Sequence, residues 1–142
     1  MQKKSFSNVV IARAAQKDVW QALVEPQYLL EWVPEIMIAR QSENRISITR
    51  NGPSINQHEI VSIEEITNGI KYTSTEGRIE YEVVFLISGV DKCVIIQEDV
   101  YVLEKTALHL PLKLLTPIAK HAFAVNLNNL VTVVEKRTRL AK

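Results

Sequence analysis

The stretch KDVWQALVEPQYLLEWVPEI, residues 17–36, carries the strongest fold signal of the sequence and holds both of its tryptophans. Trp20 and Leu23 recur at helical spacing with polar residues between them, which predicts an amphipathic helix. Pro26 ends that helix or begins another, since proline suits a first helical turn. A short second helix over QYLLEW then ends before Pro34. The stretch therefore predicts two short helices in succession.

Strand patterns lie on both sides of this stretch. SFSNVVIAR, residues 5–13, is rich in β-branched and aromatic residues, which favours a first strand. Six further apolar segments follow between residues 35 and 105, separated by short polar breaks such as Asn51-Gly52 and Asn68-Gly69, both typical of tight turns. These segments are IMIAR, RISIT, INQHEIVSIEEI, IKYTST, RIEYEVVFLI and KCVIIQEDVYVLE. Consecutive strands with hairpin links predict an antiparallel meander, and the first strand brings the sheet to seven.

The last section, from about Leu112 to Leu140, has no glycine and predicts one long helix. Two neighbouring apolar stripes together form a broad face: Leu115, Ile118, Ala122 and Val125 in one, and Ala119, Phe123, Leu127, Leu130 and Val134 in the other. Such a face needs a partner surface, and the sheet is the only large one available. We therefore predict an α+β fold with a seven-stranded antiparallel sheet, a long C-terminal helix and two short helices after the first strand.

Length and composition narrow the function classes. The 142 residues suit a single domain, 1–142, with its own core. Lysine plus arginine is 17 and aspartate plus glutamate is 16, so we expect no nucleic-acid partner. No run approaches the roughly 18 apolar residues that span a bilayer, so we expect no stable membrane insertion. The first residues lack the apolar core of a signal peptide, and the sequence has a single cysteine, Cys93. Both features predict a cytoplasmic location. The oligomeric state is left open.

Two further sequence patterns, the basic tail and the three histidines, give little evidence of a binding or catalytic site. The basic tail KRTRLAK, from Lys136, fits a solvated helix end, where cations suit the helix dipole; an anionic partner is the alternative. His58, His109 and His121 are scattered, with no ligand-like spacing to each other, to the cysteine or to an acid. No glycine-rich phosphate loop is present either. We therefore expect neither a metal nor a cofactor.

Alternation along the two longest strands identifies their inward rows. In one strand the apolar row is Ile79, Tyr81, Val83, Phe85 and Ile87; in the next it is Val94, Ile96, Glu98, Val100 and Val102. Glu98 is thus predicted to point inward among apolar neighbours, where a carboxyl that lacks a partner has a raised pKa. It serves either as a structural hydrogen-bonding group or as a functional acid or base.

The order of elements resembles the START-related (SRPBCC) superfamily, whose helix-grip fold is shared with the birch pollen allergen. The polyketide-cyclase-like and coenzyme-Q-binding-like branches are the most similar. The motifs that carry the resemblance are Ala14-Ala15, Val19-Trp20, Trp32-Val33-Pro34, Asn129-Leu130 and Glu135, with Ala15 standing where proline is common. The resemblance covers the whole chain and implies a curved sheet wrapped around the long helix, with an apolar tunnel between them. Family members use that tunnel for lipids, sterols, polyketides, quinones or hormones.

We therefore expect this chain to bind or carry a hydrophobic small molecule between the sheet and the long helix, without catalysis. The expected ligand-binding residues come from the short helices, the inward strand rows and the helix face: Trp32, Tyr72, Tyr81, Val83, Phe85, Ile96, Glu98, Val100, Ile118, Ala122, Asn126 and Asn129. The two asparagines interrupt the apolar helix face, and either a structural partner or the ligand satisfies them.

Two other functions compete with this one. A cyclase or dehydratase would use Glu98 with a cavity tyrosine as acid and base, and Glu98→Gln would abolish its turnover while altering apolar binding only modestly. An interaction module would instead have a cavity filled by side chains. The apolar stretch ALHLPLKLLTPIA, residues 107–119, either covers the end of the sheet as core or forms a cavity mouth that touches a membrane or a lipid carrier.

Overall fold

The computed structural model describes residues 3–52, 54–90, 92–107 and 109–141. Three α-helices form, namely α1 Gln16–Val24, α2 Leu29–Trp32 and α3 Leu112–Leu140, and short 3-10 helices lie at Pro26–Tyr28 and Glu104–Ala107. The strands are β1 Lys4–Ala12, β2 Ile36–Ser42, β3 Arg45–Arg50, β4 His58–Ile66, β5 Gly69–Thr75, β6 Tyr81–Val90 and β7 Cys93–Val102.

The seven strands form one curved sheet in the order β1-β7-β6-β5-β4-β3-β2. Every ladder is antiparallel, and β1 joins the meander beside its last strand. The predicted α+β architecture with a long C-terminal helix is confirmed. The turn at Asn68-Gly69 is also as predicted, since Asn68 adopts a φ of 61° between β4 and β5.

Two strands begin later than the sequence pattern indicates. We expected β4 from residue 55 and β6 from residue 78, but they begin at His58 and Tyr81. The side chain of Asn56 accounts for part of this difference. Its amide donates to the Ile79 carbonyl at 2.8 Å, and its oxygen accepts from the Ile79 backbone N–H at 2.9 Å. Both backbone groups of Ile79 are thereby taken from the sheet ladder. Asp91, in the break between the last two predicted strands, lies outside the described residues.

Only one of the two apolar stripes of α3 faces the sheet. Leu127, Leu130 and Val134 are fully buried, whereas Ile118 is 67% and Val125 is 46% exposed. At about 100° per residue the two stripes together spread over roughly 200° of the helix circumference, more than one packed surface covers. The prediction that both stripes pack inward is therefore wrong for the first. No helix among the described residues is long and apolar enough to cross a membrane.

The C-terminal end of α3 is fastened to the junction between β1 and α1. The Glu135 carboxylate accepts from the backbone N–H of Arg13 at 2.8 Å, and the Thr138 hydroxyl accepts from that of Ala15 at 3.0 Å. The guanidinium of Arg137 lies over the ring of Tyr28, 4.1 Å from its centroid, a cation–π contact. The interpretation of the tail as a solvated helix end is therefore wrong for Arg137 and Thr138, which pack against α1 and the turn after it.

Substitution on the inward stripe of α3 should lower stability far more than substitution on its outward stripe. Leu130→Ala removes a fully buried side chain and is expected to cost about 2–5 kcal/mol of unfolding free energy. Val125→Ala, on the outward side of the same helix, should change it by less than about 0.5 kcal/mol. Urea unfolding followed by circular dichroism measures both. Equal losses would contradict the helix orientation.

Candidate functional site

Glu98 lies on β7 between two partner strands and points into the interior. In register it faces Asn8 on β1 and Phe85 on β6. Its side chain is only 1% exposed, as the alternation of β7 predicts. The amide of Asn8 donates to its Oε1 at 3.2 Å and also to the carbonyl of Lys120 on α3 at 3.3 Å. One amide therefore links the carboxyl, the edge strand and the long helix.

The interior environment raises the pKa of Glu98 from 4.5 to about 7. Burial is the main cause, because desolvation disfavours the charged form. The hydrogen bond from Asn8 lowers the pKa, and the nearby charge of Asp99 raises it. Near neutral pH both protonation states are therefore populated. In its protonated form Glu98 can donate a hydrogen bond to a ligand oxygen, and in its ionised form it can only accept.

Three aromatic rings pack together around Phe85, the residue that faces Glu98 in register on β6. Phe85 meets Tyr72 edge-on with ring centroids 5.0 Å apart, and it meets Trp32 edge-on at 6.2 Å. Trp32 is buried, yet among the described residues its indole Nε1 has no hydrogen-bond partner. A buried donor left unpaired costs about 1–3 kcal/mol. The aromatic cluster thus contains one donor that a bound oxygen would satisfy.

The hydroxyl groups of the two interior tyrosines are engaged away from Glu98. Tyr72 donates to the backbone carbonyl of Leu23 on α1, and Tyr81 donates to Glu59 at 3.2 Å. Burial raises the pKa of both phenols, and the charge of Glu98 adds to this for Tyr72, as that of Glu59 does for Tyr81. Neither hydroxyl is therefore placed to exchange a proton with Glu98 in this arrangement.

A second buried carboxyl, Glu59 on β4, has several hydrogen-bonding and ionic partners. Our sequence reasoning did not identify it. It forms an ion pair with Arg50 and accepts hydrogen bonds from Ser74 and Tyr81, with Asn56 at 3.4 Å. The signal was present in HEIVSIEEI, because alternation places residue 59 on the same row as two apolar residues, 61 and 63. The same rule applied to β4 would have found it.

The structure brings most of the expected ligand-binding residues together, but not those on the helix. Trp32, Tyr72, Val83, Phe85, Ile96, Glu98 and Val100 are buried and Tyr81 is partly buried, all within one core. Ile118 and Ala122 are exposed and lie on the side of α3 that faces away from the sheet. Asn126 and Asn129 reach groups near α2 instead, the Glu35 carboxylate at 2.9 Å and the Trp32 carbonyl at 3.3 Å.

A surface cleft of about 300 Å³ opens elsewhere, between the end of α1 and the β2–β3 hairpin. Its wall consists of Val24, Pro26, Gln41, Glu43, Asn44, Ile46, Ile63 and Glu65, none of which we expected at the site. Trp20 on α1 donates through its indole N–H to Glu65. Each tryptophan therefore marks one location: Trp20 the surface cleft, and Trp32 the interior beside Phe85.

Metal-binding groups do not converge in the part of the chain that the structure describes. No set of three histidine, cysteine, aspartate or glutamate side chains there could hold an ion. His58 pairs with Thr49 at 3.1 Å, and His109 and His121 are exposed.

The raised pKa of Glu98 predicts a pH dependence of stability. The folded protein holds the Glu98 proton more tightly than the unfolded chain does, so rising pH favours unfolding between 4.5 and about 7. Compared with Glu98→Gln, the wild type should lose up to roughly 3 kcal/mol of unfolding free energy as the pH rises through that window. Above the window the difference should stay constant. Urea titrations at several pH values measure this loss. Glu31→Gln, at an exposed carboxyl, should leave the profile unchanged. Parallel profiles for the wild type and Glu98→Gln would contradict the assignment.

No protein-family model and no curated protein matches the sequence. Among solved structures, a START superfamily protein from Mycobacterium smegmatis is similar with a TM-score of 0.67 and 17% identity, over 96% of this chain and 98% of that one. Truncated norcoclaurine synthase from Thalictrum flavum gives 0.69 and 13%, over 94% of each chain. The di-domain ARO/CYC StfQ from the steffimycin biosynthetic pathway gives 0.71 and 12%, over 93% of this chain and 51% of that one. The resemblance stated from the sequence is therefore confirmed for the fold, and the chain has the helix-grip fold of the START-related superfamily.

Proposed function

We propose that this chain, as one domain over residues 1–142, binds a hydrophobic small molecule between the sheet and α3, and does so in the cytoplasm. The observation that carries the proposal is the Glu98 carboxyl, which is buried among apolar side chains. In the part of the chain that the structure describes, the Asn8 amide is its only hydrogen-bonding partner. A buried carboxyl provided with so few partners is costly in a purely structural role. A ligand that bonds to it offsets that cost.

The polar groups of the interior favour a ligand that carries oxygen. Trp32 offers an indole N–H that has no partner among the described residues. Glu98 offers a carboxyl that donates or accepts, and both side chains lie beside Phe85. An apolar skeleton with a carbonyl or hydroxyl oxygen would pair with these two groups and stack against the rings. Polyketides and quinones fit this description better than saturated lipids, whose chains offer no such oxygen.

Access to this interior requires local movement, because the groups that would contact the ligand are buried. The segment best suited to move is α2, which has only four residues and is followed at once by Val33 and Pro34. It carries Trp32, whose carbonyl accepts a hydrogen bond from Asn129 on α3. We propose that α2 opens to admit the ligand and that Trp32 then closes over it.

An acid–base enzyme is the second candidate, and the pKa of Glu98 favours it. A value of about 7 suits a general acid or base near neutral pH. Two proteins of the same fold, norcoclaurine synthase and the ARO/CYC StfQ, bear enzyme names. The tyrosine partner that we expected is the weak point, since Tyr72 and Tyr81 direct their hydroxyls to Leu23 and Glu59. Binding without catalysis therefore ranks first.

Native mass spectrometry of the purified protein, followed by solvent extraction of what it releases, tests the proposal. We expect an adduct of one oxygen-bearing apolar molecule per chain. Val100→Phe, which fills the interior from β7, should lower the bound fraction at least about fivefold, given the cost of overpacking a core. Val9→Phe is the matched control on the neighbouring strand, where Val9 is 60% exposed, and it should change nothing. Circular dichroism confirms that both variants fold.

A clean apo mass that persists after incubation with quinones, aromatic polyketides and fatty acids would contradict the binding proposal. So would an adduct that Val100→Phe and Val9→Phe retain equally, because the molecule would then lie outside the interior.

A further inference from the structure

The amide of Asn8 determines how Glu98 presents its two oxygens. The nitrogen of this amide lies 3.2 Å from Glu98 Oε1 and 3.3 Å from the carbonyl oxygen of Lys120 on α3. A backbone carbonyl can only accept a hydrogen bond, so the group that faces Lys120 must be the Asn8 NH2 and not the Asn8 oxygen. The same NH2 donates to Glu98. The position of α3 therefore fixes the direction of the hydrogen bond between Asn8 and Glu98.

This hydrogen bond also determines which oxygen of neutral Glu98 bears the proton. Oε1 accepts from Asn8 and serves as the carbonyl oxygen of the carboxyl, because that oxygen is a better acceptor than the hydroxyl. The proton then belongs on Oε2, for which the described residues provide no hydrogen-bonding partner. Glu98 is 1% exposed and points into the interior. In its neutral state it therefore offers the interior one O–H donor.

We propose that Asn8 is a positioning residue that makes the interior selective for a carbonyl oxygen over a hydroxyl. Trp32 adds a second donor, because its buried indole N–H has no partner among the described residues. Two donors suit an oxygen that only accepts, as in a ketone, a quinone or an aryl aldehyde. An alcohol brings an O–H that needs an acceptor of its own, and Asn8 already occupies Glu98 Oε1. Burying that O–H without a partner lowers affinity by at least about fivefold.

The groups around Glu98 favour its neutral state. On β1 and β6 it faces Asn8 and Phe85, which carry no charge, and α3 contributes a backbone carbonyl through Asn8. Tyr72 on β5 remains a phenol, because burial and the charge of Glu98 raise its pKa. Asp99 follows Glu98 on β7 and lies on the opposite face of the sheet, but its negative charge still disfavours ionisation of Glu98. Among the described residues no cation pairs with Glu98.

The inference rests on the proposed function, since it concerns the same interior, and it narrows the ligand to a carbonyl compound.

Three ligands that share one skeleton test this selectivity on the full chain: tetralone has a carbonyl, tetralol a hydroxyl and tetralin no oxygen. Isothermal titration calorimetry measures their affinities. At pH 6 Glu98 is mostly protonated, since its pKa is about 7, and tetralone should bind at least about fivefold more tightly than tetralol or tetralin. At pH 9 the carboxylate can only accept. Tetralone should then bind at least about tenfold more weakly than at pH 6, whereas tetralol, which can donate to the carboxylate, should not weaken.

Two variants separate the roles of Glu98 and Asn8. In Glu98→Gln the introduced oxygen accepts from Asn8, which leaves the introduced N–H as a donor at every pH. This variant should bind tetralone at pH 9 at least about tenfold more tightly than the wild type does. Asn8→Ala removes the hydrogen bond that lowers the pKa of Glu98. The pH at which tetralone affinity falls should therefore rise, and the preference for tetralone over tetralol at pH 6 should shrink to less than about twofold.

Asn128→Ala is the matched control for Asn8→Ala, because Asn128 is exposed on α3 and its amide donates to the Ala124 carbonyl of the same helix at 2.9 Å. It should change neither the preference nor the pH profile, and circular dichroism confirms that all variants fold. Asn8→Ala that behaves like Asn128→Ala would overturn the inference. So would a tetralone affinity that changes with pH identically in the wild type and in Glu98→Gln.

Equal affinities of the wild type for the three ligands at pH 6 would overturn the selectivity and leave binding in the interior intact. Failure of all three to bind would also overturn the inference. Whether the proposed function falls with it is decided separately, by the native mass and the extraction of what the protein carries.

Discussion

The packing of α3 against the concave side of the sheet is the constraint on which the rest of the molecule depends. One face of a seven-stranded sheet is apolar and must be covered, and α3 is the only long helix among the described elements that can cover it. Leu127, Leu130 and Val134 make that contact. Hydrogen bonds from the β1–α1 junction to Glu135 and Thr138 fix where the helix ends. The enclosure of Glu98 and the exposure of Ile118 both follow from this single placement.

The two buried carboxyl groups, Glu59 and Glu98, differ in how many hydrogen-bonding and ionic partners they have. This difference distinguishes a structural carboxyl from a functional one. Glu59 has a cation and several hydroxyl and amide donors around it, so it forms a closed network that rigidifies one end of the sheet. Within the described ranges, Glu98 has one hydrogen-bonding partner, the Asn8 amide. The indole of Trp32 nearby has no partner among the described residues. A ligand that carries oxygen would supply the partners that these two groups lack. The Nη1 of Arg137, which also has no partner among the described residues, lies at the other contact of α3, over Tyr28.

The sequence predicted the sheet and the inward direction of Glu98 because strand alternation leaves only two faces to choose between. It failed for the helix face because an apolar band on a helix can be wider than the surface that covers it, and Ile118 and Ala122 fell on the uncovered part. The partners of Asn126 and Asn129, and the contact of Arg137 with Tyr28, depend on how distant segments meet. Local patterns in a single sequence give no information on contacts between segments that lie far apart along the chain.

The claim that a ligand lies in the interior, rather than in the surface cleft, can be tested with the two tryptophans. Bromobenzene is a small apolar molecule whose heavy atom quenches tryptophan fluorescence at contact. Trp20→Phe leaves Trp32, beside Phe85, as the only emitter, and Trp32→Phe leaves Trp20, which bonds to the cleft residue Glu65. Our account predicts saturable quenching of Trp32 and only weak, linear quenching of Trp20. Saturable quenching of Trp20 alone would contradict it and would place the site in the cleft.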